Sequence, residues 1–261
     1  MQVAARLRTF AGLLFIVATT AANATEIHVY SSGAPAVAAK VIATDFGKVS
    51  DDHFDFTVDQ PAMIEADLAA GDTIDVVILP EPLVKTLTGS GVLRSDGTAN
   101  VARVGAGIVV RAGAPTPNIA DVAAIRQLLR DAHSIVYPDP AEAGGGSAGL
   151  AIARMIEKLG LTDIVRPKLT VKSAIGGGVA LVAEGKAEVG IFNTSEIMPV
   201  KGVTLIGPLP SELQNYILFT AAIPVKSTVP EPASAYIKRL TDPATRPAWQ
   251  NAGLEPVAPS R

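Results

Sequence analysis

Ser147 is the residue whose surroundings come nearest to a catalytic motif. It lies in Gly145-Gly146-Ser147-Ala148-Gly149, the G-x-S-x-G spacing that sets a nucleophilic serine on a tight turn between strand and helix. Here residues 138–144 separate Ser147 from the preceding strand-like run. The general base of such an elbow follows the serine in the chain, whereas His28, His53 and His133 all precede it. Triad order varies between folds, so a serine hydrolase acting through Ser147 stands as an alternative from another functional class, without other support. The three histidines are scattered singly, with no spacing that sets two of them on one metal. The chain has no cysteine, which removes thiol nucleophiles, disulfides and cysteine-built metal sites. Gly105-Ala106-Gly107 lacks the third glycine of a dinucleotide fingerprint, and Glu184-Gly185-Lys186 is followed by Ala187 rather than the Ser or Thr of a phosphate loop. No catalytic residue, metal or cofactor is expected, and the reading is of a protein that does no chemistry.

A different pattern survives. Several strand-like runs end in small, hydroxyl-bearing or glycine-rich turns that open helices: Ser31-Ser32-Gly33, Gln60-Pro61, the stretch 143–148 and the stretch 173–178. Helix N-termini present unpaired N–H groups and partial positive charge, and glycine lets a ligand approach the backbone. Several such turns around one cleft would bind a small polar molecule or anion without a cationic side chain. The same turns also serve as ordinary caps, so the pattern alone leaves both readings open.

The elements that would position these turns alternate. Strands are expected at 26–30, 54–58 and 75–79, a longer one at 101–111, and others at 134–137, 169–171, 188–193, 202–206 and 216–223. Helices are expected over 36–46, 62–70, 120–131, 150–159, 179–184 and 232–240. Strand–helix alternation predicts parallel sheets covered by helices. The chain of 261 residues is 48% hydrophobic but only 5% aromatic, so its core must be built from Ala, Val, Ile and Leu. Two α/β units of about 100 residues suit that length. A formal charge of −3 with 18% charged residues argues against a nucleic-acid surface, which needs clustered Lys and Arg.

Residues 1–24 read as a secretory signal. Arg6 and Arg8 make the positive n-region, an apolar run follows, and Ala22-Asn23-Ala24 places small residues where a signal peptidase cuts. The run is too short for a membrane span, which takes about 20 apolar residues. Cleavage after Ala24 would remove both arginines and leave an exported chain with a net charge of −5.

Taken in order, the segments resemble the periplasmic molybdate-binding proteins of ABC importers. Ile27-His28-Val29-Tyr30-Ser31-Ser32 resembles the opening strand and turn, and Ala43-Thr44-Asp45-Phe46 the end of the first helix. Leu68-Ala69-Ala70-Gly71 followed by Ile74-Asp75-Val76-Val77-Ile78, then Val109-Val110-Arg111 and Tyr137-Pro138-Asp139-Pro140, continue the series. Ala180-Leu181-Val182, Val189-Gly190-Ile191 and the ending Ala252-Gly253-Leu254-Glu255-Pro256 complete it.

The resemblance implies a type 2 periplasmic-binding fold of class α/β: two lobes, each a mainly parallel sheet flanked by helices, with a ligand cleft between them. Lobe one would comprise 25–103 and 204–261, and lobe two 104–203. It further implies a monomeric periplasmic solute-binding protein that closes by a hinge on a small polar ligand, molybdate or tungstate in the family, and presents it to an ABC permease. Matching the family's ligand positions gives Ala34, Pro61, the turn around Ser147 and Ala148, Ile175 and Asn193; with Ser31, Ser32, Gly33 and Gln60 of the two neighbouring turns these make up the expected ligand site. Three of the matched positions depart from the family, in which Ala34 and Pro61 are usually Ser and Asn193 usually Tyr. Ala34 loses a hydroxyl, Pro61 a hydroxyl and an N–H, and Asn193 replaces a phenol with an amide. Ser31, Ser32, Gln60, Ser147, Ser173 and Thr194 offer compensating polar groups. Asp59 and Glu142 would add repulsion toward an oxyanion. Each lost hydrogen bond to a charged ligand costs about 1.5–3 kcal/mol, so the alternatives are a non-oxyanion organic ligand on the same fold, or a sensor.

Overall fold

The computed structural model of the chain describes residues 24–138, 146–170 and 177–257. The expected signal segment lies outside them, apart from Ala24. So do the end of the expected strand at 169–171 and the positions Ser173 and Ile175. Along the chain, β1 (Glu26–Ser31) leads into α1 (Gly33–Ser50), β2 (His53–Val58) into α2 (Pro61–Ala70), and β3 (Val76–Pro80) into α3 (Glu81–Gly89). β4 (Ala99–Val104) and β5 (Ala106–Arg111) follow, with Gly105 alone between them. Next come α4 (Val122–Asp131), β6 (Ile135–Val136), α5 (Gly146–Lys158), α6 (Thr162–Val165), α7 (Gly177–Ala183), β7 (Val189–Asn193), α8 (Thr194–Ile197) and β8 (Val203–Pro208). The chain closes with β9 (Ile217–Ala222), α9 (Pro230–Leu240), α10 (Arg246–Asn251) and β10 (Glu255–Pro256).

The strands form two sheets, ordered β10-β4-β9-β3-β1-β2 and β6-β7-β5-β8, each with its own apolar clusters. This is the expected two-lobed α/β architecture, with three differences. The single strand expected at 101–111 is two strands in different sheets, because the chain crosses between lobes at Gly105. Uniform β propensity on both sides of that glycine hides the break. Against the expected boundary at 204, β8 pairs with β5 in the second sheet, and the chain rejoins the first sheet at β9. The sheets are also mixed rather than mainly parallel: β1 runs parallel to β2 and β3, while β9 is antiparallel to both β3 and β4. The crossings impose this. β4 leaves its sheet and β9 enters it at the same junction, so as neighbours they must run in opposite directions, and β5 and β8 are opposed for the same reason.

In the first lobe, Ile27 and Val29 alternate into the core of β1. Ala38, Ala39, Ile42 and Ala43 form the buried stripe of α1, spaced for one helix face. Their small side chains leave room for Tyr236, whose hydroxyl donates to the Ala39 carbonyl at 2.8 Å and whose ring packs 4.7 Å from that of Phe54. Trp249 is fully buried, with its indole N–H donating to the Leu240 carbonyl at 3.0 Å. Three aromatic side chains, Phe54, Tyr236 and Trp249, thus do much of the filling in this lobe.

The junction is held by polar groups. Gln214, between β8 and β9, spans the backbone of Ala106: the Ala106 N–H donates to its Oε1 at 2.8 Å, and its Nε2 donates to the Ala106 carbonyl at 2.9 Å. A Cβ on Gly105 would stand 2.7 Å from the Gln214 amide carbon, so the clamp needs glycine there. Beside it, the Thr194 N–H donates to the Gly105 carbonyl at 3.0 Å, and the Thr194 hydroxyl donates to the Gly253 carbonyl. Gly253 has φ +77°, and a Cβ on it would approach the Thr194 carbonyl group to 2.7 Å. Replacing Gln214 with Ala orphans the buried Ala106 N–H, while the Ala106 carbonyl keeps the Leu209 N–H at 3.0 Å. Stability should fall by about 1–3 kcal/mol, seen as a lower urea midpoint at unchanged slope; an unmoved midpoint would mean the crossing strand needs no clamp.

Candidate functional site

A cleft of ≈ 1060 Å³ opens between the two sheets. From the first lobe it is lined by the β1–α1 turn (Ser32, Gly33, Ala34), the β2–α2 turn (Asp59, Gln60, Pro61), Pro80 at the end of β3, and Ile217 and Phe219 of β9. From the second lobe come Pro138, Ala148 of the first turn of α5, Asn193 at the end of β7, and Ser195, Glu196, Met198, Pro199 and Val200. Strand ends and helix starts meet here because each β–α turn exits on the side of its sheet that faces the junction. A second hollow of ≈ 960 Å³ lies over the outer faces of α1 and β2, with Lys40, Lys48, Asp51, His53 and Phe54 in its wall. It belongs to one lobe alone, and its Lys48 is already paired with Asp45.

Seven of the ten positions anticipated from the sequence line the cleft: Ser32, Gly33, Ala34, Gln60, Pro61, Ala148 and Asn193. Ser31 does not. It is fully buried in β1, and its hydroxyl donates to the Ser32 carbonyl at 2.9 Å, because alternation along the strand turns it to the core. The side chain of Ser147 and all of Ile175 lie outside the described residues, as does Glu142. Asp59 does line the cleft, where its carboxylate accepts the Gln60 N–H at 2.7 Å. The residues missed by sequence reasoning are Ser195 and Glu196. Their signal was a further strand-end turn, Asn193-Thr194-Ser195-Glu196, of the same kind as the others.

Three polar atoms give the cleft its character. Ser32 is only 5% exposed and caps α1, yet its hydroxyl makes no cap bond and has no partner. Its N–H is spent on the Ile78 carbonyl at 2.9 Å, which ties the turn to β3. The first N–H groups of α1 have no intrahelical acceptor, and a Cβ on Gly33 would meet nothing within 4 Å, so that glycine keeps the helix start open. Across the cleft, Ser195 Oγ and Glu196 Oε2 are likewise shielded from solvent and unpartnered. A buried polar atom without a partner costs about 1–3 kcal/mol, and three around one cleft point to a ligand that satisfies them. The cleft has no cationic side chain among its described lining residues, and Val37, Val58, Met198, Val200, Ile217 and Phe219 give it apolar walls.

Burial pushes the Glu196 carboxyl up to about 7, against a smaller opposing effect of its hydrogen bond with the Asn193 side chain. A carboxyl harder to ionise in the folded state than in the unfolded chain lowers stability as pH rises from about 4.5, with the loss complete above about 7. Glu196→Gln should remove this slope and gain on the parent between pH 5 and pH 8, by about 3 kcal/mol at most, in urea unfolding at the two pH values. Equal slopes would mean that Glu196 ionises freely in the fold.

Among the described residues, no helix is long and apolar enough to cross a membrane, and no group of three or more His, Asp or Glu is placed to hold a metal. Aconitate isomerase from a Pseudomonas species is 28% identical over 97% of both chains. The Escherichia coli molybdate-binding protein ModA is 29% identical over 29% of this chain and 30% of its own. The substrate-binding domain of a putative molybdenum ABC transporter from Clostridium difficile superposes with a TM-score of 0.77 at 16% identity, over 90% of this chain and 100% of that one. The fold is thus that of the molybdate-binding-like periplasmic proteins. A family described as bacterial extracellular solute-binding protein matches residues 27–255, and with nearly the whole two-lobed chain inside that match, the protein belongs to this family.

Proposed function

We propose that this protein is a monomeric periplasmic receptor, the capture subunit of an ABC importer, which closes its lobes on a small polar organic ligand and presents the closed form to the permease. The observation that carries this reading is a cleft lined from both lobes by residues that carry a buried polar atom without a hydrogen-bond partner, Ser32 (Oγ) on one side and Ser195 (Oγ) and Glu196 (Oε2) on the other. A ligand bridging them satisfies all three only when the lobes approach, which gives binding and closure a common driving force. An organic ligand fits better than a tetrahedral oxyanion. Pro61 offers no N–H, Ala34 no hydroxyl, two carboxyl groups line the space, and the walls are substantially apolar.

A second reading is favoured by the relative named for aconitate isomerisation, which matches along the whole chain. It makes aconitate, an unsaturated tricarboxylate, the ligand to try first, and it means that binding without chemistry is not the only use of this cleft. The start of α1 and the Ser32 hydroxyl suit a carboxylate, and a protonated Glu196 suits another. The alternatives of a sensor and of a hydrolase acting through Ser147 gain nothing from the described geometry.

The test is thermal unfolding against molybdate, tungstate, sulfate, phosphate, sugars and small organic acids that include both aconitate isomers. A ligand at a hundred times its dissociation constant stabilises by about 2.7 kcal/mol. Organic acids should shift the midpoint and the four oxyanions should not; a response to molybdate and tungstate alone would restore the family's ligand. Gly33→Ala, whose new methyl enters the open space at the start of α1, should weaken the ligand at least tenfold while leaving the free protein as stable as before or slightly more so. Unchanged affinity would move the ligand away from that helix.

A further inference from the structure

The reading of the cleft as a ligand site does not explain why one of its ligand-facing groups is ionisable. Glu196 is a carboxylic acid placed where the ligand would sit, yet a neutral hydroxyl or amide would satisfy a bound molecule at less cost than a buried ionisable group. Resting on that reading, we propose that the cleft transfers a proton between two carbon atoms of a bound unsaturated polycarboxylate, with the Glu196 carboxyl carrying the proton and Ser32 with the start of α1 holding the substrate carboxylate on which charge develops.

Five features of the site support this. Glu196 lines the cleft, and its Oε2 has no hydrogen-bond partner, so that oxygen is not committed to the protein. The Asn193 side chain hydrogen-bonds the same carboxyl group and fixes it from the lobe side. α8 packs chiefly against β5, β7 and β8. Those strands carry one charged residue, Arg111, at the end of β5 remote from Asn193, and Asp59 stands in the wall of the cleft. No fixed cation on these elements therefore holds Glu196 in its ionised form. A carboxyl poised near neutrality is also suited both to take a proton and to return it. Across the cleft, the free N–H groups of α1 and the unpartnered Ser32 hydroxyl form a neutral donor set for an anion.

The step balances within the site. The Glu196 carboxylate removes a proton from the sp3 carbon beside a carbon–carbon double bond. The electron pair of the broken C–H bond enters the conjugated system, giving a dienolate whose charge lies on a substrate carboxylate. Glu196, now protonated, returns the proton to the far carbon of the three-carbon unit. One C–H bond breaks, another forms, the double bond moves by one position, and Glu196 ends as it began. The reaction requires no electron donor or acceptor.

The experiment incubates the purified protein with cis- or trans-aconitate in deuterium oxide and follows isomer ratio and carbon-bound deuterium by proton NMR, with calorimetric binding of both isomers alongside. The parent protein should interconvert the isomers and introduce deuterium at the allylic carbon. Glu196→Gln should lose at least a hundredfold in turnover while its affinity changes less than tenfold, and Glu196→Asp should recover part of the rate. Thermal unfolding shows whether each variant is folded. Asn193→Ala, removing a positioning residue, should lower kcat more than it raises KM and should shift the pH profile. Binding of aconitate without isomerisation or exchange would overturn this inference and leave the receptor reading standing. Failure to bind either isomer would also overturn it, and a response to another organic acid would still keep the receptor. Undiminished turnover in Glu196→Gln would remove the proton from Glu196.

Discussion

Everything in this molecule depends on how two sheets are joined without being fused. The chain passes from β4 to β5 through one glycine, and at the crossing the Ala106 N–H finds its acceptor in the side chain of Gln214, while the Gly105 and Ala106 carbonyls also accept from the Thr194 and Leu209 N–H groups. That side chain offers the donor and acceptor of a primary amide to the N–H and carbonyl of Ala106, doing for one residue what a neighbouring strand does for a whole edge. Because Gln214 lies in the link that returns the chain to the first sheet, both crossings are fastened at one point. Thr194 fastens a third segment there, through Gly105 and Gly253. A joint made of a few side-chain hydrogen bonds permits rotation that an extensive apolar interface between lobes would resist.

The joint also decides what the cleft contains. Thr194 belongs to the same turn as Asn193, Ser195 and Glu196, so the residues that line the cleft begin one position away from those that hold the crossing. The cleft wall and the joint share a short stretch of backbone, so a change at one is felt at the other. The cost of leaving Ser32, Ser195 and Glu196 unsatisfied is borne by two cores whose stability comes from elsewhere, from Trp249, Tyr236 and the aliphatic layers of both sheets.

The site is selective by what it withholds. It has neither arginine nor lysine among its described lining residues, so attraction for an anion must come from helix starts and hydroxyls, which act over short range and in set directions. With apolar walls beside them, such donors discriminate by shape and by the spacing of polar groups more than by total charge. A protonatable carboxyl adds a group that can donate or accept, according to what is bound.

The amino-acid sequence by itself determined the alternation of strands and helices, the buried faces and most of the turns at the cleft. These follow from local periodicity and from residues such as Gly33, Pro61 and Gly71, whose backbone preferences act within a few positions. The collinear set of segments from Ile27 to Pro256 was enough to imply two lobes. The sequence did not show that 101–111 is two strands, since Gly105 differs little from any glycine in a β-rich run until Gln214, more than a hundred residues on, is brought against Ala106. Nor did it separate Ser31 from Ser32: two adjacent hydroxyls read alike, but strand alternation buries one in the core and leaves the other at the helix start. Glu196 was the largest omission. A glutamate after a strand reads as a solvated helix residue, and only packing of α8 against β5, β7 and β8 buries its carboxyl and sets the residue in the cleft wall. Local propensity is written in neighbouring residues, whereas desolvation and partnership are set by atoms that only the tertiary fold brings near.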